Sequence, residues 1–290
     1  MSGKWIFAAL LASCGAFAVA VLRRAAKRRV DQGWPTNFAH RGASLTAPEN
    51  TLEAFRLAAR SGAGGLELDV HTTSDGRIVV IHDNSVDRTT EGTGLVRRMT
   101  LYEIQSLDAG YRFNPDGGPA YPYRGRGVRV PELGEVLRDF PGHKVNIDIK
   151  EEQPGVEVAL LETIEDVDAG DRVLVVSEMP AVVGRVRKLS GNSISTGASR
   201  REIRGFYRLS RLRLEFLVRP PYDALQVPVE YGGRELVTPR FLKAAHDRGV
   251  RVDVWTIDEP DEMRRLLDLG VDVIMTNRPE VLEGVLGERC

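Results

Sequence analysis

The order of apolar runs along this chain predicts an α/β fold: a (β/α)8 TIM barrel with a small insertion after its second strand, preceded by an N-terminal transmembrane helix. Three observations carry the prediction. Eight short strand-like runs follow residue 34, with helical patterns between most of them. The stretch 84–143 breaks that rhythm. Residues 5–22 form an uncharged run of eighteen residues, just long enough to cross a bilayer as a helix. The expected organisation is therefore a membrane anchor with a basic juxtamembrane segment over 1–33 and a barrel over 34–290. A composition of 42% hydrophobic and 28% charged residues excludes disordered and fibrous classes.

In the leader, Arg23, Arg24, Lys27, Arg28 and Arg29 follow the apolar run at once. A secretory signal carries its positive charge before that run, where only Lys4 and the terminal amine stand. An uncleaved anchor is the preferred reading, with the basic cluster and the following domain on the cytoplasmic side. The alternative is export, since Ala18-Val19-Ala20 resembles a cleavage site and Leu11-Ala12-Ser13-Cys14 a lipoprotein box. Apposition to anionic head groups is enough to explain the cluster. The net charge of −1 argues against a nucleic-acid binder, but it conceals an uneven distribution. Residues 1–30 hold six basic and no acidic residues, leaving 34 basic against 41 acidic in the remainder, a net of −7. Cys14 and Cys290 are too few to staple a fold or build a cysteine metal site.

The strand candidates are 37–41, 65–71, 144–150, 172–177, 193–198, 224–229, 251–257 and 272–276. Helices are expected over 51–60, 156–167, 239–248 and 261–269, with Gly249 and Gly270 where helix C-caps fall. A doubly wound sheet is the rival that periodicity alone does not exclude. Asn50, with Glu53 three residues later, reads as a capping box opening the first helix, which accounts for Asn50 structurally and leaves Glu49 free for a site. The insertion has a Gly/Pro/Tyr-rich centre at 111–127 and is either functional or a surface elaboration.

Barrel active sites form at the C-terminal ends of the strands, and the polar candidates fall there. In 65–71, Glu67, Asp69 and His71 share one face while Leu66, Leu68 and Val70 share the other. Asn146, Asp148 and Lys150 alternate in the same way with Val145, Ile147 and Ile149. Three carboxylates, Glu67, Asp69 and Asp148, thus face one interior, where they repel unless paired or metal-bound. All-oxygen ligation suits Ca²⁺ or Mg²⁺; the competing reading is a set of core ion pairs with Lys150 and arginines. His40 and His82 end strand-like runs and suit a general acid and base. Arg41 and Lys150 supply cations for an anionic oxygen, and Gly42 allows close backbone approach. Two histidines, two cations and a hard divalent metal describe phosphoryl chemistry. Trp255 is either a core aromatic or a wall against substrate carbons.

Together His40-Arg41-Gly42, Pro48-Glu49-Asn50-Thr51, Glu67-Leu68-Asp69-Val70, Asp75-Gly76, His82-Asp83 and Val254-Trp255-Thr256 resemble, in the right order, the glycerophosphodiester phosphodiesterases. The resemblance covers about residues 36–285 and implies a TIM barrel with a small insertion. It implies metal-dependent hydrolysis of glycerophosphodiesters to sn-glycerol 3-phosphate and an alcohol, by a water or by the substrate's own glycerol 2-hydroxyl. By the same resemblance His40 and His82 are the acid/base pair, and Glu67, Asp69 and Asp148 bind one Ca²⁺ or Mg²⁺. Arg41, Glu49 and Lys150 hold the phosphate or organise the site, and Trp255 contacts substrate. Asp148 stands where the family usually has Glu, and Thr276-Asn277-Arg278-Pro279 departs from the common T-D-x-P in a loop expected to matter little. Two other functions fit the sequence: a lysophospholipase D, with Tyr111, Phe113, Tyr121 and Tyr123 lining an acyl groove, and a membrane-tethered binding protein without activity.

Overall fold

The computed structural model describes residues 33–289, so the expected anchor lies outside the described residues. Among these, no helix is long and apolar enough to cross a membrane. Eight parallel strands form the ring: β1 (Asn37–His40), β2 (Gly65–Thr72), β4 (Lys144–Ile149), β5 (Val173–Val176), β6 (Ser195–Thr196), β7 (Ala224–Val227), β10 (Arg251–Val254) and β11 (Val273–Thr276). They pair in the order β6-β5-β4-β2-β1-β11-β10-β7, and a single parallel bridge from Gly197 to Ala224 closes the ring. All eight predicted strands are present, and the ring settles the choice against the doubly wound sheet.

The alternation read from the sequence is what the barrel needs. Leu66, Leu68 and Val70 of β2 and Val145, Ile147 and Ile149 of β4 lie in the core between strands and helices, while Glu67, Asp69, Asn146 and Asp148 occupy the opposite face. The covering helices are α1 (Leu52–Arg60), α3 (Leu133–Asp139), α4 (Val156–Asp166), α5 (Pro180–Leu189), α6 (Arg200–Arg211), α7 (Pro239–Asp247), α8 (Pro260–Leu269) and α9 (Pro279–Gly287). Helix α3 falls within 84–143, yet Leu133, Val136 and Leu137 join the main core, so it is the covering helix of the second unit. The rest of that stretch has its own small core, in which Val86, Val96, Ile104, Val128 and Val130 pack around the short α2 (Leu101–Gln105). It adjoins β3 (Ile78–Val80), which pairs antiparallel with β2. A two-stranded hairpin, β8 (Glu230–Tyr231) and β9 (Arg234–Glu235), follows β7.

At the N-terminal end of the barrel, Trp34 stacks on Phe38 with ring centroids 5.9 Å apart and packs against Leu174 and Ala224. The guanidinium of Arg251 lies 3.9 Å from the Trp34 ring centroid. A Cβ on Gly65 would sit 2.3 Å from the Phe38 ring, so only glycine leaves that ring its place. Above this plug, Arg251, Asp253, Gln226 and Asn146 form a connected polar layer. The C-terminal end is left open, and the candidate residues gather there.

Candidate active site

A cavity of about 700 Å³ opens at the C-terminal ends of the strands. His40, Arg41, Glu67, His82, Asp148, Lys150 and Trp255 all line it. Asp69 and Glu49 stand behind that lining as partners of its cations. The wall continues past the charged residues to Ile203 and Tyr207 of α6, Tyr231 of the hairpin, and Leu236. Trp255 is 39% exposed, which places it as a wall of the cavity and not in the core.

The two histidines are held alike at Nδ1 but by different groups. His40 Nδ1 lies 2.8 Å from Asn277 Oδ1, and the amide nitrogen of Asn277 donates to Asp258 at 2.7 Å. Because that amide nitrogen is committed to a carboxylate, its oxygen faces His40, and His40 Nδ1 must carry the proton. Nε2 is left with its lone pair. Burial, and then the Arg41 charge, keep the His40 imidazole below its ordinary pKa. His82 Nδ1 donates to the Asp83 carboxylate at 2.6 Å, which again leaves Nε2 open. Asp83 is held down to about 2, chiefly by hydrogen bonds from Arg88, so it is a fixed anion. The His82 backbone is pinned as well, since His71 Nε2 donates to its carbonyl at 3.0 Å.

The carboxylates are brought together as expected, with Asp69 directly opposite Asp148 in the β2–β4 register. Asp69 faces Arg41 Nε at 3.1 Å and Lys150 Nζ at 3.0 Å, and accepts from Asn50 Nδ2 at 2.9 Å. Lys150 also pairs with Asp148. Burial would raise Asp69, but Lys150, Arg41 and Asn50 hold it below its ordinary range. Glu67 is pushed well up by burial and then by the Asp69 charge, although the Arg41 backbone N–H donates to it at 3.0 Å. Asp148 is raised to about 6, again mainly by burial. Its Oδ1 is buried with no hydrogen-bond partner. The ion pairs weighed as the alternative to a metal site are thus present, and among the described residues no group of three His, Cys, Asp or Glu is arranged to hold a metal. The donor chemistry nevertheless fits a hard divalent cation: oxygen donors only, Asp148 Oδ1 without a partner, and a Glu67 carboxylate that burial and the Asp69 charge disfavour.

Three contributors to the site were not legible as such. Asn50 is not the N-cap: it takes φ 58°, and its side chain turns inward to Asp69, while Thr51 caps α1 by accepting from Ala54 N at 3.3 Å. The buried amide is worth more to the Asp69 carboxylate than to a helix end that threonine can cap. Asn277, in the loop expected to matter little, instead holds His40. Arg88, from the insertion, donates to both oxygens of Glu49 at 2.7–2.8 Å and to Asp83 at 2.7 Å. Burial would raise Glu49, yet Arg88 and Arg41 keep it ionised, so Glu49 organises the two arginines. No pattern in the sequence marks Arg88, one of forty basic residues.

Residues 40–281 match the Glycerophosphoryl diester phosphodiesterase family. A glycerophosphodiester phosphodiesterase of Caldanaerobacter subterraneus subsp. tengcongensis is 36% identical over 257 residues, spanning 84% of this chain and 95% of the relative. The chain belongs to this phosphodiesterase family. As a glycerophosphodiester phosphodiesterase by class, it is a phosphoric diester hydrolase. Human glycerophosphodiester phosphodiesterase 1 is 30% identical over 247 residues, covering 78% of this chain and 72% of the relative. The solved structures agree in fold. A glycerophosphoryl diester phosphodiesterase domain from Mycobacterium tuberculosis superposes with a TM-score of 0.76 at 21% identity, covering 88% of this chain and 99% of that one. An Oleispira antarctica phosphodiesterase, solved with the product sn-glycerol-3-phosphate, gives 0.69 at 23% identity, covering 88% and 97%.

Proposed function

We propose that this phosphodiesterase hydrolyses glycerophosphodiesters to sn-glycerol 3-phosphate and an alcohol, with His40 as the general base and His82 as the general acid. The observation that carries the reading is the unlike pair of Nδ1 partners. A neutral amide behind His40 favours an uncharged imidazole whose Nε2 accepts a proton. The Asp83 carboxylate behind His82 Nδ1 fixes the ring with Nε2 toward the cavity and stands as counter-ion while that ring protonates the departing alkoxide. Arg41 and Lys150 hold the phosphate oxygens, Glu49 and Arg88 fix Arg41, and Trp255 flanks the substrate carbons. The nucleophile is water or the glycerol 2-hydroxyl; in either case its proton goes to His40 Nε2. One divalent cation, Ca²⁺ or Mg²⁺, held by Glu67, Asp69 and Asp148, would supply charge neutralisation at the phosphoryl oxygens. Release of glycerol 3-phosphate, followed over several headgroups with and without chelator, tests the reading. Unchanged turnover with chelator would remove the metal, and no release from any diester would remove the substrate class.

A second reading is lysophospholipase D activity. The aromatic residues of the insertion do not support it: Phe113 packs on Tyr123 and Arg124 stacks on Tyr111 and Tyr121. The apolar wall at Ile203, Tyr207 and Leu236 supports it better. Parallel assays with glycerophosphocholine and lysophosphatidylcholine separate the two. For the leader, residues 5–22 and the five basic residues after them support a single-pass anchor with a cytoplasmic catalytic domain. Extraction of the full chain by detergent but not by alkaline carbonate is the expected result; a cleaved, secreted domain is the opposing one.

A further inference from the structure

The end of α6 and the segment after it carry a feature the catalytic site does not use. Arg208, Arg211, Arg213 and Arg219 are all exposed, and none has a carboxylate partner among the described residues. The acidic residues of the same segment are already committed: Glu202 to Arg187, and buried Glu215 to Arg240. Between these arginines, Leu212, Phe216 and Leu217 are 67%, 63% and 65% exposed. Nothing among the described residues covers them. Arg211 lies over the Tyr207 ring at 5.9 Å, which leaves its charge unneutralised. Large apolar side chains interleaved with arginines that have no carboxylate partner are what an interfacial lipid contact requires, the apolar groups entering the acyl boundary and the guanidiniums meeting head groups.

Position strengthens the case. Helix α6 starts at the cavity, where Arg200 and Arg204 line the wall, and runs toward the opposite end of the barrel. The segment 212–223 leads into the start of β7, and residues 33–36 lead into the start of the parallel β1. Trp34 packs on Ala224, the first residue of β7, so both lead-ins meet at the N-terminal end. The chain therefore leaves the barrel toward residues 1–32 at the end where the exposed apolar residues stand.

We propose that residues 208–219 form a second, interfacial contact with an anionic lipid bilayer, seating the N-terminal end of the barrel on the membrane. The surface is cationic on a domain whose net charge is otherwise negative, so it selects anionic over zwitterionic lipid. The cavity then opens away from the bilayer, which suits water-soluble diesters. The contact does not require the apolar leader to span the membrane, and the test keeps the two apart.

The full chain, with Cys14→Ser and Cys290→Ser, is labelled with an environment-sensitive fluorophore through Phe216→Cys. It is mixed with vesicles of phosphatidylcholine alone or with phosphatidylglycerol. The expected result is a blue shift only with phosphatidylglycerol, weakened by salt. In Arg208→Glu/Arg211→Glu/Arg213→Glu the shift with phosphatidylglycerol is expected to be lost, whether or not the leader keeps the chain on the vesicles. Circular dichroism confirms that this variant is folded, and none of the three arginines lines the cavity. A label that stays water-like while the chain is bound to vesicles retains the anchor and overturns the surface. A shift that grows with protein concentration and without lipid identifies a second copy as the occupant, and also overturns it.

Discussion

The two ends of the barrel use buried charge in opposite ways. In the lower layer Arg251 and Asp253 are both buried and meet at two points, 2.9 and 3.3 Å, with Gln226 completing the set at 3.1 Å. One cation answers one anion, and Trp34 covers the pair. At the open end Asp69 pairs with both Arg41 and Lys150, Asp148 shares Lys150, Glu67 accepts from the Arg41 backbone N–H, and one Asp148 oxygen has no partner. The lower arrangement is self-contained, whereas the upper one is complete only with another positive charge or a proton. Identical residue types thus give stability at one end and a demand for a ligand at the other.

The largest effect should come at the open end. Replacing His40 or His82 by Ala is expected to lower kcat by about 10²–10⁴-fold with little change in thermal unfolding. Near-normal rates in both variants would falsify the acid/base assignment. Next are two substitutions of buried aspartates, which should separate the ends. Asp253→Ala strands Arg251 and is expected to cost about 3–5 kcal/mol in denaturant melts. Asp148→Asn should leave stability in chelator unchanged or higher, while its turnover with Ca²⁺ or Mg²⁺ present collapses; equal stability losses in the two variants would erase the contrast.

A smaller effect is expected from Arg88→Ala, which frees Glu49 and Asp83 without touching the fold's main core. Steady-state kinetics should show turnover falling by up to about 100-fold. The smallest lies at the N-terminal end, where His246 meets Asp272 at 2.8 Å. That hydrogen bond, opposed by burial, raises the His246 pKa above its ordinary value. Its stabilisation is fully present below the unfolded-state pKa and is lost as pH rises through the folded one. His246→Gln should therefore cost up to about 1 kcal/mol in acid and little in base. Urea melts at the two pH values check the sign, and a cost confined to high pH would contradict it.

The strands are legible because their signal is periodic: β2 and β4 alternate over six or more residues, a pattern a doubly wound sheet shares, and only the long-range closure from Gly197 to Ala224 separates the two folds. His40, Glu67, Asp69, His82 and Asp148 were legible because they end or punctuate those runs. Local capping preference points Asn50 to a helix end, whereas its place is decided by Asp69, nineteen residues away. Nothing near Asn277 in the sequence signals its role, which depends on Asp258: that carboxylate commits the amide nitrogen and so dictates that His40 Nδ1 carries the proton. Arg88 reaches the site through tertiary folding of the insertion, and no short-range pattern encodes that. Helix α3 does not stand out from the insertion in the sequence because its seven residues carry too short a period.

Trp34 has one more consequence. With that indole filling one end, the barrel is a vessel with a single mouth. Substrate and products pass the same rim, so an accumulated phosphomonoester occupies the passage that the next diester needs. Progress curves should accordingly bend before substrate runs out, and added glycerol 3-phosphate should act as a competitive inhibitor.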